Sequence, residues 1–369
     1  NTASGRDIGN RLCLPLALIR ELLDSLRTQR MVQHRGPAPA GDFIYELTEY
    51  GRGRAFEARQ LNNYVGAAPV SMDLWEQSIQ KQWLGLAPPE KADLQRAFSD
   101  LLLTDVLLDR IGPAVCGGQS LFLFGAPGNG KTAIAERISR SFGDYIWIPQ
   151  SISIGGQITK LYDPSVPHLA RPARVETERA DRRWAMIYRP NIISGAELTV
   201  EMLDIQVDPR TNIAEAPLQI KANGGVLVLD DFGRQRTDAQ ALLNRWIQPL
   251  ERHRDYLKLP DGRKFAVPFG AMLVFCTNLD LRRSGEEAFL RRISHKITLP
   301  DPTSEQFISL TLALARKFDV ATTRESVEYL LHRHFNETPR SMRFSHPKDL
   351  LVQVVHRCIW EGRDPVAGE

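Results

Sequence analysis

The strongest chemical signal in the chain is GAPGNGKT at positions 125–132. Gly125, Gly130, Lys131 and Thr132 satisfy the pattern GxxxxGK[ST], whose glycines let backbone N–H groups close around phosphate oxygens. A helix starting at that point adds the positive end of its dipole. Lys131 is suited to neutralise β and γ phosphate oxygens, and the Thr132 hydroxyl to complete a Mg²⁺ shell. Ala126, Pro127, Gly128 and Asn129 make up the rest of the cradle. Further along, GGVLVLDD at 224–231 is an apolar run that ends in two carboxylates. Asp230 is placed to hold Mg²⁺, directly or through water, and Asp231 follows it.

Such residues work only if strands and helices bring them together. The run SLFLF at 120–124 predicts a strand leading into the loop, and Ile134, Ile138 and Phe142 share one face of the helix that leaves it. Positions 145–149, 226–229 and 272–276 are further strand candidates, and 91–111 reads as a helix. Apolar runs separated by helices predict a buried parallel sheet covered on both faces, an α/β fold. After Pro302 the pattern is helical only, at 304–318, 325–335 and 347–362, which predicts a small lid.

The loop and the paired carboxylates resemble the P-loop ATPases of the AAA+ type, over about residues 101–362. The resemblance implies ATP and Mg²⁺ as ligands and gives roles to further residues. Asp231 stands where these proteins usually carry the glutamate that polarises the attacking water, and is one methylene shorter. Asn278, at the end of the strand 271–277, stands at the first sensor. EAFLRRI at 287–293 resembles the phrase that carries an arginine finger, so Arg291 or Arg292 would reach a neighbouring subunit. In HPKDL at 346–350, Lys348 takes the place of the second-sensor arginine, with Arg343 nearby.

YLKLPDGRKFAVP at 256–268 reads as a hairpin around Asp261 and Gly262. A hairpin just before the first-sensor strand resembles the MoxR-like and magnesium-chelatase group. The segment of about 150–218 is longer than a connection between strands requires, and its runs 184–188 and 197–202 around Ser194 and Gly195 read as an inserted hairpin or helix. No GAFTGA loop like that of sigma-factor-remodelling activators is present. The Arg-rich stretch 171–183 carries interleaved acids and reads as a solvated face.

Residues 1–61 read as helix, turn, strand and helix, with LTEYGRG at 47–53, and resemble an N-terminally incomplete winged-helix domain. Thr48 is the expected N-cap of its last helix. The helix within 15–28 would hold the recognition place, yet Glu21 and Asp24 on it oppose phosphates. Residues 62–89 read as a linker, 90–300 as the ATPase core and 301–369 as the lid.

Lys and Arg number 47 against 44 Asp and Glu, a formal charge of +3 that excludes a whole-molecule polycation. Cys13, Cys116, Cys276 and Cys358 are scattered without a CxxC pair, and no apolar run is long enough to span a bilayer. A cytoplasmic location without membrane insertion is the expectation. The resemblance implies a homo-oligomer, a hexameric ring, that hydrolyses ATP to remodel a protein client. An ATP-switched regulator binding DNA through the winged helix is the alternative, and a chaperone-like ATPase of pilus or secretion assembly a third reading.

Overall fold

The computed structural model describes residues 2–162, 181–259, 262–278, 291–337 and 340–367. It opens with β1 (Thr2–Ser4), α1 (Gly5–Leu12), α2 (Leu16–Thr28), β2 (Val32–Ala38), β3 (Asp42–Leu47) and α3 (Glu49–Leu61). The strands form an antiparallel sheet in the order β1-β3-β2, against which Ile19 and Leu23 of α2 are buried with Val32 and Tyr45. Thr48 caps α3, its hydroxyl accepting from the Gly51 N–H at 3.0 Å. Leu18 and Leu22, on the same helix as the buried pair, lie outside this small core and are 48% and 53% exposed.

Residues 62–89 pack as structure in their own right. Val70 bridges to Ile152 in strand fashion, and α4 (Met72–Lys81) buries Trp75 and Ile79. The expected single helix over 91–111 is instead two, α5 (Lys91–Ala97) and α6 (Asp105–Cys116). Thr104 caps the second, accepting from the Leu107 N–H at 3.3 Å, so the chain between them turns out beside the phosphate loop.

The centre runs β4 (Leu121–Gly125), α7 (Lys131–Ile138), β5 (Tyr145–Pro149), β6 (Ser151–Ile154), β7 (Gln157–Lys160), β8 (Trp184–Tyr188), β9 (Asn191–Ser194), β10 (Gln206–Asp208), β11 (Ile213–Glu215), α8 (Leu218–Lys221) and β12 (Val226–Leu229). It continues with α9 (Ala239–Arg252), β13 (Arg254–Lys258), β14 (Lys264–Pro268), β15 (Met272–Thr277) and β16 (His295–Leu299). Five of these strands form a parallel sheet in the order β16-β4-β15-β12-β9. Helices cover both faces. Ile134, Ala135 and Ile138 of α7 pack on one, and Leu242, Leu243 and Trp246 of α9 on the other. The fold class is α/β, a parallel sheet between helical layers.

Two expectations about this sheet change. Tyr145–Pro149 is a strand, but it pairs antiparallel with β8 as a separate ribbon. Tyr145 is exposed and Trp147 and Ile148 are only partly buried, which suits a ribbon better than a sheet centre. The edge place beside β12 is taken by β9, so Ser194 belongs to the core sheet and not to an inserted hairpin. The insertion itself is a four-stranded sheet, β10-β11-β7-β6, sharing a core with Trp75 and the β13-β14 hairpin. Asp261, the stretch 171–180 and residues 287–290 lie outside the described residues.

The lid comprises α10 (Ser304–Lys317), α11 (Arg324–Leu331) continued by a wider turn at His332–Asn336, and α12 (His346–Glu361). Thr303 and Gln306 form a capping box at the start of α10. No helix among the described residues is long and apolar enough to cross a membrane.

Candidate nucleotide site

Lys131 opens α7, and Gly130 before it has φ 80° while Gly128 has φ 82°. Glycine holds that left-handed backbone at no steric cost, which lets the loop turn tightly at both positions. The start of α7 has no side-chain cap, so its N–H groups are left for a ligand. The Lys131 ammonium is buried and donates to the carbonyls of Gly125 at 2.9 Å and Ala126 at 3.0 Å. Burial lowers its pKa from the ordinary lysine value, and the Asp230 and Asp231 carboxylates oppose that shift.

Asp230 follows β12, beside β15 in the sheet, and its Oδ2 accepts the Thr132 hydroxyl at 2.8 Å. Two oxygens on one edge of a Mg²⁺ octahedron with 2.0–2.1 Å bonds lie roughly 2.9 Å apart, so this pair fits the ion as it stands. Asp231 donates its N–H to Asp230 Oδ1 at 3.0 Å and is exposed, with φ 47°. The next residue is tied to the neighbouring strand. Phe232 N–H donates to Cys276 O at 2.8 Å, and the buried Thr277 hydroxyl donates to Phe232 O at 2.7 Å. Asn278 ends that strand with a buried side-chain oxygen that has no hydrogen-bond partner among the described residues.

Lys131, Thr132, Asp230 and Asp231 open onto a cavity of about 940 Å³ between sheet and lid. One end is lined by Pro127, Gly128, Asn129, Gly130, Lys131 and Thr132 with Asp230 and Asp231. Leu101, Leu102, Leu103 and Val106 line it from the α5–α6 connection and α6, and Leu310, Leu314 and Phe318 from the lid. A polar end that carries charges of both signs and an apolar wall suit a nucleoside triphosphate with a divalent cation. Arg137 grips Asp100 at this wall with bonds of 2.8 to 3.0 Å, and that hydrogen bonding holds the Asp100 carboxyl below the usual carboxylate range.

Lys348 lines the same cavity from α12. Arg343 does not project as a free substitute but forms an ion pair with Asp301. Asp301 also accepts from the Asn129 side chain at 2.7 Å, which donates to Pro300 O at 3.2 Å as well. Asp301 carries no signal in the sequence beyond standing at the start of the expected lid. Arg291 and Arg292 are not among the residues lining this cavity. Arg292 is paired with Glu251 at the end of α9, and Arg291 is exposed. Asn278 also lies beyond the lining, one residue past Thr277.

A sequence-family comparison matches residues 303–369 to a domain of unknown function (DUF8689). No curated protein matches the chain. Among solved structures, the chain is similar to NtrX from Brucella abortus in complex with ATP, at 13% identity and a TM-score of 0.46, covering 75% of this chain and 58% of that one. The same protein in complex with ADP gives 14% identity and a TM-score of 0.44, covering 74% of this chain and 54% of that one. A point mutant of RuvB from Thermotoga maritima gives 11% identity and a TM-score of 0.39, covering 75% and 67%. The chain thus spans a little over half the length of the NtrX chains it matches.

Proposed function

We propose that the chain is an ATPase of the AAA+ type that hydrolyses ATP and turns nucleotide state into movement of its lid against its core. The observation that carries this reading is one cavity lined by Lys131, Thr132, Asp230 and Asp231 from the core and by Lys348 from the lid. ATP with Mg²⁺ supplies the phosphoryl group and a charge-neutralising ion. The chain supplies the rest. Lys131 exchanges its two carbonyl partners for phosphate oxygens, and the Thr132 and Asp230 oxygens hold the ion. Asp231 polarises the attacking water, and Asn278, whose buried side-chain oxygen has no hydrogen-bond partner among the described residues, aligns it.

The test is Mg²⁺-dependent phosphate release by the purified chain, with Lys131→Ala as the reference. Tight ATP binding with release no faster than in that variant would sink the hydrolytic reading.

The assembly in this reading is a homo-oligomer, six subunits in a ring, with Arg291 as the finger. Both Arg291 and Arg292 lie outside the lining of their own chain's cavity. The MoxR-like and magnesium-chelatase likeness rests on the β13-β14 hairpin immediately before β15.

The N-terminal unit, winged-helix-like in its order of strand, two helices, hairpin and helix, serves as a docking module for a protein client. Exposed Leu18 and Leu22 beside exposed Glu21 and Asp24 on α2 support a protein surface over a DNA groove. DNA binding is tested by titrating the chain with duplex DNA at rising salt. A steep loss of affinity with salt would favour the regulator reading instead.

A further inference from the structure

Asp231 sits in a turn whose every neighbour is pinned. Asp230 N–H donates to Ser194 O at 2.8 Å, and Phe232 N–H to Cys276 O at 2.8 Å. Asp231 itself has φ 47°, in the left-handed region, and Gly233 has φ 93°. The turn is closed by one side chain. Gln235 Oε1 accepts the Gly233 N–H at 2.7 Å, and Gln235 Nε2 donates to Asp230 O at 3.1 Å. A side-chain amide can do this because it carries an acceptor and a donor together, and the two backbone partners fix which end is which.

The left-handed backbone also bears on the identity of residue 231. Short polar side chains, Asp and Asn above all, tolerate that region because they can bond locally, while longer side chains are seldom found there. Here the bonds at residue 231 are those of its main chain, the N–H donating to Asp230 Oδ1 at 3.0 Å and the carbonyl accepting from Arg234 N–H at 3.0 Å.

We infer that Gln235 is a positioning residue for hydrolysis: it locks the left-handed turn that aims the Asp231 carboxylate into the phosphate end of the cavity. The inference rests on the hydrolytic reading of the site. Gln235 touches neither substrate nor ion in this scheme and acts only through Asp231.

The experiment is a double-mutant cycle in the full chain with Gln235→Ala, Asp231→Asn and the pair. It reads kcat, KM for ATP, melting temperature and the hydrogen-exchange rate of the Gly233 amide. Expected for Gln235→Ala are a fall in kcat of about tenfold or more with KM within about twofold, and faster exchange at Gly233. In the Asp231→Asn background, where the left-handed turn is kept but the base is gone, Gln235→Ala should cost nothing further. Gln235→Glu keeps the acceptor for Gly233 N–H and loses the donor to Asp230 O, so its kcat should fall between the two.

An active wild type equalled by Gln235→Ala within about twofold overturns the assignment. So does a rise in KM without a change in kcat, or an equal loss in the Asp231→Asn background. A wild-type chain that binds ATP and hydrolyses none overturns the hydrolytic reading itself, an outcome told apart by the activity of the wild type alone.

Discussion

The Ser345 N–H donates to the Gly128 carbonyl at 2.9 Å, so the lid is bonded directly to the phosphate loop. The contact is close enough that a Cβ at Gly128 would come within 2.6 Å of the Ser345 hydroxyl. Beside it, Asp301 joins Asn129 of the loop to Arg343 of the lid. Anything that reshapes the loop therefore pulls on the lid at two points.

Removing that junction should loosen the lid while leaving the core folded. Asp301→Ala strips Arg343 of its partner and leaves the buried Asn129 amide with Pro300 O alone. The expected cost is about 1 kcal/mol, held low because Asp301 is partly exposed. Hydrogen exchange at the Ser345 amide should accelerate, and unchanged exchange there would contradict the linkage.

Affinity for ATP should fall on the alkaline side at a lower pH than an ordinary lysine would impose. Burial lowers the Lys131 pKa, so in the nucleotide-free chain the ammonium is lost before pH reaches the usual lysine value of about 10.4. Phosphate oxygens bind the charged form, so affinity is fully present below the lowered pKa and declines as pH rises through it. In the nucleotide-free chain the sign is opposite. A depressed lysine pKa makes the unfolded state the better proton binder, so this group's contribution to stability rises with pH between the two pKa values. Calorimetric ATP titrations between about pH 7 and about pH 10 check the first effect.

The hairpin before β15 should depend on one buried ion pair. Asp255 is fully buried and accepts from Arg245 Nη2 at 2.8 Å, Gln219 Nε2 at 3.0 Å and Tyr256 N–H at 2.7 Å. Asp255→Ala leaves the Arg245 charge and the Gln219 amide without that partner, at an expected cost of about 3–5 kcal/mol. Urea unfolding measures it. A loss under about 1 kcal/mol would show that water reaches the Arg245 guanidinium once its partner is gone.

If Arg291 completes a neighbour's site, Arg291→Ala should lower kcat by about a thousandfold while the chain still assembles. Mixing it with Lys131→Ala should restore part of the activity, because one kind of interface in the mixture pairs an intact loop with an intact Arg291. Arg292→Ala should change stability by no more than about 1 kcal/mol, since its pair with Glu251 is partly exposed. Full hydrolysis by the Arg291 variant, or no recovery on mixing, would count against a shared site.

How much of this was legible beforehand follows from how far apart the cooperating residues lie. The phosphate loop was readable because residues 125–132 build their cradle from their own backbone, with the φ values of Gly128 and Gly130 demanded by local sterics. Asp230 and Asp231 were readable because an apolar run ending in carboxylates is a local pattern, and β12 is buried at every position. The lid helices were readable from their periodicity and from the cap at Thr303.

Other features could not be read because each depends on a partner far along the chain. Both Tyr145–Pro149 and Asn191–Ser194 can form a strand, and only pairing with β8 or with β12 decides which one joins the core sheet. Leu18 and Leu22 share α2 with buried Ile19 and Leu23, and the small sheet beside that helix covers only one of its faces. Asp301 and Gln235 have unremarkable sequence surroundings, and they matter because folding brings Asn129, Arg343 and the carbonyl of Asp230 within hydrogen-bonding reach. The sequence by itself determined which groups can meet a phosphate, since that chemistry is local. The tertiary structure alone decided what holds those groups in place and what moves with them, since those bonds join segments that only folding makes neighbours.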